Sequence, residues 1–271
     1  MNGCVIFYFS GTGNTAYIAK LYKENFEAAG IKTDIFAVDS LHDLPLPDVS
    51  GYDYIGFAGP IYAFSLAESI RNFISTFPEA QKNQKAFLFT TCGGLYLGAL
   101  IQPAEVLKSK KFKVLHSVSF KMPSNMPVSD FLAKLFMIPP NEKLYEEAYE
   151  KVKTTVKKIL EGNEKVSCQW GWLGKRLTDT AERATKNEFK KTAENFMAND
   201  KCNSCQLCVI SCPAKNIKMI EGRPGFQDHC LACYRCYNIC PKNAIIMRKN
   251  ELGKPRYLAP GFVAPIITPH S

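Results

Sequence analysis

Residues 9–20 read FSGTGNTAYIAK, a glycine and hydroxyl loop between an apolar run, Val5 to Phe9, and a stretch with helical spacing. Loops of this composition at a helix N-terminus hold phosphate, because backbone N–H groups and the helix dipole converge on the anion. Three clients compete. A triphosphate loop has the form G-x-x-x-x-G-K-[ST], with its Lys on the β- and γ-phosphates. Here no Lys follows Gly13 until Lys20, a turn and a half too late. The dinucleotide fingerprint G-x-G-x-x-G/A fits Gly11, Gly13 and Ala16, with Asp34 or Asp39 placed to accept from a ribose. The hydroxyls weigh against it. Ser10, Thr12 and Thr15 interleave with Gly11, Gly13 and Asn14, and neutral donors of this kind suit one phosphate dianion bound without a cationic side chain.

Working outward from the loop, β-like apolar runs recur at 5–9, 31–38, 54–58, 86–91 and 114–120. Helical stretches fall between and after them, near 15–29, 66–77, 99–109 and 142–160; in the last, Leu144, Ala148, Val152, Val156 and Ile159 share one face. This alternation predicts a parallel sheet of five strands with helices on both faces. Ligands of such sheets sit beyond the carboxyl ends of the strands. The segments after strands three and four, GPIYAFS (59–65) and TTCGGLYLG (90–98), are therefore expected beside whatever the loop anchors. That marks Pro60, Ile61, Tyr62, Ala63, Phe64, Thr91, Cys92, Gly93 and Gly94 as binding candidates. Tyr62 or Phe64 suits stacking on a planar ring, and Tyr62 equally suits ordinary packing. Gly93 and Gly94 either admit a close backbone approach or simply turn the chain. Cys92, like Cys4 and Cys168, reads first as a small buried filler.

The other eight of the eleven cysteines form two runs, CNSCQLCVISCP (202–213) and CLACYRCYNICP (230–241), each C-x-x-C-x-x-C-x-x-x-C-P and 28 residues apart. Three cysteines two residues apart can wrap one cubane, while the fourth, followed by Pro, reaches the other cluster. One cluster is then expected on Cys202, Cys205, Cys208 and Cys240, the second on Cys230, Cys233, Cys236 and Cys212. Zinc is the alternative for paired C-x-x-C elements, but eight ligands in two interlocked identical runs favour iron and sulfur. None of the four histidines has nucleophile or metal spacing, and His229, beside Cys230, reads as surface.

Residues 200–248 resemble the bacterial two-cluster [4Fe-4S] ferredoxins, with Ile217 and Ile245 after the C-P pairs in the role of water-excluding side chains. Many such ferredoxins carry Gly between the second and third cysteines, where this chain has Gln206 and Tyr234. The loop, S/T-x-T-G-x-T complete in Ser10, Thr12, Gly13 and Thr15, resembles the flavodoxin signature. The whole order resembles the flavodoxin and ferredoxin fusion proteins of anaerobic bacteria. That resemblance implies an α/β fold, a flavodoxin-like doubly wound five-stranded parallel sheet followed by a small α+β two-cluster ferredoxin domain. The cofactors implied are FMN and two [4Fe-4S] clusters. The expected domains are 1–165 for FMN, 166–199 as a helical bridge, 200–250 for the clusters and 251–271 as a tail.

The implied function is electron transfer between clusters and flavin, coupling a low-potential ferredoxin-type donor or reductase, as redox protein partner, to FMN. The alternative is an FMN-dependent reductase of an organic substrate fed by its own clusters. The separating feature is Lys121 to Pro140, methionine-rich and apolar, either a lid beside the flavin or an extra packed helix. The formal charge of +9 invites a nucleic-acid reading. Two oxidised clusters with their thiolates, at about −2 each, and a phosphate at about −2 reduce it to roughly +3, and no nucleic-acid partner is expected. The basic set Lys175, Arg176, Arg183, Lys186, Lys190 and Lys191 reads as a solvated helix face. The N-terminus has no basic n-region or A-x-A site, so no membrane insertion is expected and the chain reads as cytoplasmic. The stretch 166–199, with Trp170, Trp172, Leu173, Leu177, Ala181, Ala184, Phe189 and Phe196, is expected to dock one domain on the other.

Overall fold

The computed structural model describes residues 3–40, 45–81, 83–126, 138–185, 192–247 and 256–265. The apolar run before the loop becomes β1 (Gly3–Tyr8), almost wholly buried because helices cover both faces of its sheet. β2 (Lys32–Ala37), β3 (Tyr54–Tyr62), a short β4 (Ser65–Leu66), β5 (Lys85–Cys92) and β6 (Lys113–Lys121) follow. β1, β2, β3, β5 and β6 are parallel neighbours in the order β2-β1-β3-β5-β6. The order reverses between β1 and β3, which opens a crevice at their carboxyl ends.

One face is packed by α1 (Asn14–Ala28) and α4 (Glu142–Leu160), the other by α2 (Glu68–Thr76) and α3 (Ile101–Ser109). On the first face Tyr22 of α1 stacks on Phe89 at 4.5 Å and on Phe87 at 5.6 Å. In α4 the expected stripe is present: Ala148, Val152, Val156 and Ile159 are buried, and Leu144 is half-buried at its start. The helix begins where the Asn141 side chain accepts from the Lys143 amide.

Two expectations change here. The segment read as a loop after the third strand is largely strand: β3 runs on through Tyr62 and turns back into β4, pairing Ile61 with Leu66 and Tyr62 with Ser65. The turn residues Ala63 and Phe64 both have positive φ, 46° and 64°, the requirement of a tight two-residue hairpin. Neither is Gly or Asn, so no turn residue advertised it.

The second change concerns 166–199. Helix α5 (Gly171–Thr185) lies on the sheet domain, with Thr178 bonded to Gly98 and Phe64 and Arg71 paired with Glu182. Trp170 and Trp172, 58% and 75% exposed, pack into neither domain, and Leu173 and Leu177 are exposed too. Lys175 pairs with Glu105. Phe196 belongs instead to the cysteine-bearing core, with Tyr237 and Ile245. Phe189, Lys186, Lys190 and Lys191 lie outside the described residues, as do 127–137 of the methionine-rich segment.

The cysteine-bearing part is two small antiparallel pairs with two short helices. β7 (Phe196–Ala198) pairs with β10 (Ile245–Met247), and β8 (Ile217–Ile220) with β9 (Arg223–Phe226). Helices α6 (Leu207–Ile210) and α7 (Arg235–Ile239) each start just after a left-handed residue. Among the described residues no helix is long and apolar enough to cross a membrane.

Candidate flavin and cluster sites

The 28-residue sequence repeat is also a repeat of backbone conformation. Left-handed residues recur in pairs, Ser204 with Ala232, Gln206 with Tyr234 and Lys215 with Asn243, all at φ between 51° and 61°. Gln206 and Tyr234 stand where Gly is common in ferredoxins, and the positive φ explains that preference: Gly takes it without a Cβ penalty. The sulfur contacts repeat too. The Asn216 amide donates to Cys212 Sγ at 3.3 Å and the Ala244 amide to Cys240 Sγ at 3.2 Å.

Two voids result. One is lined by Cys202, Cys205, Cys208 and Cys240 with Ile245, the other by Cys212, Cys230, Cys233 and Cys236 with Ile217. The fourth cysteine of each run thus joins the first three of the other. The sulfurs stand around a space: among the described residues no three His, Cys, Asp or Glu converge to hold a single ion. Four soft thiol donors about an apolar void fit a [4Fe-4S] cubane, whose irons occupy separate corners. Burial pushes the free thiols up, Cys208 and Cys230 to about 11 and Cys233 to about 12, and it raises Cys236 well above the usual thiol value. Each is a neutral thiol until iron displaces its proton.

The first void opens among exposed residues, Asn203, Ser204, Cys205 and Gln206. The second lies inward, against the sheet domain. A Cβ on Gly11 would stand 2.8 Å from the Cys233 carbonyl oxygen and 2.7 Å from the Tyr62 hydroxyl, so only glycine permits this approach.

At the carboxyl ends of β1, β3 and β5 lies a cavity of about 530 Å³, within the usual range for small-molecule sites. Its walls include Ser10, Gly11, Thr12, Asn14, Thr15, all of Pro60 to Phe64, and Thr91 to Gly94. Gly13 is absent from the lining. It caps α1 at φ 104°, with its Cβ position 2.6 Å from Phe262 Cβ, and faces the C-terminal segment.

Ser10, Thr12 and Thr15 are all nearly fully buried, and Thr15 Oγ1 lies 2.9 Å from Thr91 Oγ1. Among the described residues that line it, none carries a charge. A phosphate here would meet hydroxyls, loop amides and the α1 N-terminus, as the missing lysine implies. The two carboxylates of the dinucleotide reading are engaged elsewhere: Asp34 accepts from the Tyr52 hydroxyl and Asp39 from Arg235. The cavity therefore fits FMN.

Cys92 has two roles in the packing. It is buried, with Sγ 3.3 Å from both the Gly94 carbonyl and Ser119 Oγ, and it lines the cavity as well. Cys4 is buried in the core and Cys168 is half-buried, donating to the Gly171 carbonyl. His229 is exposed beside Asp228.

The sequence did not mark Leu95, Thr192, Asn195, Ala232 or Tyr234 as cavity residues. Pro123, Ser124, Asn125 and Met126, the start of the methionine-rich segment, also line it. Ala232 and Tyr234 belong to the second cysteine run, so one short loop borders both the cavity and the inner cysteine void.

Polar contacts fasten this loop to the sheet domain. Arg235, 1% exposed, donates from Nη2 to Asp39 Oδ2 at 2.5 Å and to the Ser10 carbonyl at 2.7 Å. Its Nε donates to the Gly11 carbonyl and its Nη1 to the Ser211 carbonyl. Burial works against its charge, and Asp39 and Cys233 more than offset that, so its pKa is pushed up. Asn125 donates to the Cys233 carbonyl, and Asn238 to that of Asn125.

The C-terminal segment 256–265, expected as a tail, returns across the loop. Ala259 N–H donates to the Thr12 carbonyl, and the Tyr257 hydroxyl reaches Asn14 Oδ1 and Tyr145.

Comparison with known proteins finds a match to each part. Residues 5–97 match the family model described as flavodoxin domain, and residues 148–259 that described as 4Fe-4S dicluster domain. The pyruvate synthase subunit PorD of Thermotoga maritima is 39% identical over 70 residues, 24% of this chain and 71% of that protein. Its namesake from Methanocaldococcus jannaschii is 36% identical over 64 residues, 22% of this chain and 73% of that protein. Among solved structures, a flavodoxin from the domain Archaea aligns with 57% of this chain and 99% of its own, at 14% identity and a TM-score of 0.39. Oxidised flavodoxin 1 from Bacillus cereus aligns with 58% and 98%, at 16% identity and a TM-score of 0.40.

Proposed function

This chain belongs to the flavodoxin and 4Fe-4S dicluster families, carrying one domain of each, and from that premise we propose a linear electron relay from an outer cluster through an inner cluster to FMN. The observation that carries the order is the loop 230–236, which borders the inner cysteine void and, through Ala232 and Tyr234, the FMN cavity. The flavin exchanges two electrons in single steps and each cubane carries one.

In this reading Ser10 to Thr15 anchor the phosphate. The hairpin Pro60 to Phe64 and the end of β5 with the bend after it, Thr91 to Gly94, hold the ring, and Ile217 and Ile245 keep water from the cubanes. The exposed loop Cys202 to Cys208 is where a redox protein docks. A ferredoxin-type donor would lose one electron there at each encounter. The similarity to a pyruvate synthase subunit supports a protein partner. A second reading, reduction of an organic molecule at the flavin, draws support from the cavity rim, where Phe64 and Met126 are 41% and 42% exposed.

Cysteine replacement tests the arrangement. Anaerobically purified protein is expected to hold about eight iron and eight sulfide per chain. Cys240→Ser should remove the cluster held by 202–208, and Cys212→Ser that held by 230–236, each leaving the other detectable by electron paramagnetic resonance. If Cys240→Ser instead removes the 230–236 cluster, each run holds its own cubane and the inward order fails.

A further inference from the structure

We propose that Arg235, a residue of the second cysteine run, is a positioning residue of the flavin-phosphate site, holding the phosphate loop open from behind so that FMN retention depends on the folded inner-cluster loop. The inference rests on the placement of the FMN phosphate at residues 10–15.

Three successive carbonyls of the phosphate loop are held from outside the cavity. Arg235 Nη2 takes that of Ser10 at 2.7 Å, Arg235 Nε that of Gly11 at 3.0 Å, and the Ala259 amide that of Thr12 at 2.9 Å. In a trans peptide the carbonyl and the following N–H point to opposite sides. Fixing the Ser10 and Gly11 carbonyls on the guanidinium therefore turns the N–H groups of Gly11 and Thr12 away from it. Among the described residues neither amide is donated to a protein acceptor. The third amide, of Gly13, donates to Ser10 Oγ at 3.1 Å, which sets that hydroxyl in place. The result is an anion-binding nest whose amides belong to one domain and whose outer clamp belongs to the other.

The clamp is built to hold its shape. A guanidinium has five N–H donors in a fixed fork, and here the fork spans two adjacent carbonyls, the Asp39 carboxylate and the Ser211 carbonyl. Arg235 lies between Cys233 and Cys236, and the Ser211 carbonyl that it holds precedes Cys212, so two inner-void cysteines flank it in sequence and a third follows its acceptor. Lysine cannot reproduce the fork, since its ammonium is one compact point of charge. By linkage, whatever orders the inner-cluster loop favours phosphate binding and the reverse.

Riboflavin separates this role from a merely structural one, because it carries the same ring without the phosphate. Flavin-depleted, cluster-loaded wild type, Arg235→Lys and Arg235→Gln are titrated anaerobically with FMN and with riboflavin, following flavin fluorescence, with iron content measured on each sample. The expected result is a rise of about tenfold or more in the FMN dissociation constant for both variants, with the riboflavin constant changed less than about threefold. Equal changes for both flavins, no change for either, or full rescue by lysine overturns the role.

Should both variants lose iron, wild type decides. Stripping its clusters with chelator and oxidant should speed FMN release about tenfold and leave riboflavin release unchanged; unaltered FMN release overturns the coupling. Thr12→Glu serves as the control on placement. If it leaves FMN affinity intact, the phosphate is not at this loop and the placement itself fails. If it weakens FMN while the Arg235 variants do not, only the clamp is wrong.

Discussion

Asp39→Asn isolates the ion pair that joins the two halves of the molecule. Asp39 and Arg235 are 196 residues apart in sequence, meet at 2.5 Å, and are each 1% exposed at the side chain. Asparagine preserves the shape and can still accept one bond from the guanidinium, but it leaves the cation buried without its counter-charge. Removing one partner of a buried pair costs about 3–5 kcal/mol. The retained bonds to Ser10, Gly11 and Ser211 put the expected loss at the lower end, about 3 kcal/mol. For a urea dependence of about 2–3 kcal/mol per molar, that lowers the unfolding midpoint by at least about 1 M.

The assay is an anaerobic urea titration with two signals, flavin fluorescence for the sheet domain and the visible absorption of the clusters for the cysteine-bearing part. The cluster signal should move at least as far as the flavin signal, because Arg235 lies within the ligand run. A shift of both midpoints below about 0.3 M, or about 1 kcal/mol, would reduce the pair to a bystander.

Two further outcomes follow from single positions. Gly13→Ala puts a side chain at φ 104° and within 2.6 Å of Phe262 Cβ. It should cost about 2 kcal/mol or more and expose the 256–265 segment to limited proteolysis without changing iron content. His116 is buried, and burial, followed by Lys158 and Lys165, holds its pKa below the ordinary value. The folded state therefore keeps it neutral while the unfolded chain takes up a proton. Its contribution is present above about pH 6.5 and is lost as pH falls through the lower folded value. Melting temperatures measured from about pH 8 down to about pH 5 should fall less steeply in His116→Gln than in wild type; parallel curves would remove His116 from the account.

What could be read from sequence was local. The phosphate loop needs hydroxyls and glycines at short fixed spacing, and the cysteine runs need theirs, so Ser10 to Thr15 and the two C-x-x-C-x-x-C-x-x-x-C-P elements stand out in the bare chain. The sheet followed from apolar runs of the right length, with ends displaced by one to a few residues. The hairpin at Ala63 and Phe64 escaped notice because its positive φ values are borne by residues that signal no turn. Trp170 and Trp172 look like core residues in composition and are exposed in the fold.

The contact between the halves had no local signature at all. Arg235 sits between two cysteines of a run, at a place the cysteine spacing does not specify, Asp39 in the turn after β2 and Ala259 near the C-terminus, and only folding brings them to residues 10–12. Asp39 in particular reads as a ribose acceptor until its carboxylate is found on the guanidinium. Tyr234, taken from sequence only as a departure from Gly, proves to border the FMN cavity.

The relay is tested most directly by rapid mixing of the oxidised holoprotein with a reduced ferredoxin-type donor, following flavin absorbance in wild type, Cys205→Ser and Cys233→Ser, with dithionite as the reference reductant. Loss of either cluster should slow flavin reduction by the protein donor by an order of magnitude or more, while the flavin of all three proteins remains reducible by dithionite. Flavin reduction at the wild-type rate in Cys233→Ser protein that has lost its inner cluster would contradict the relay.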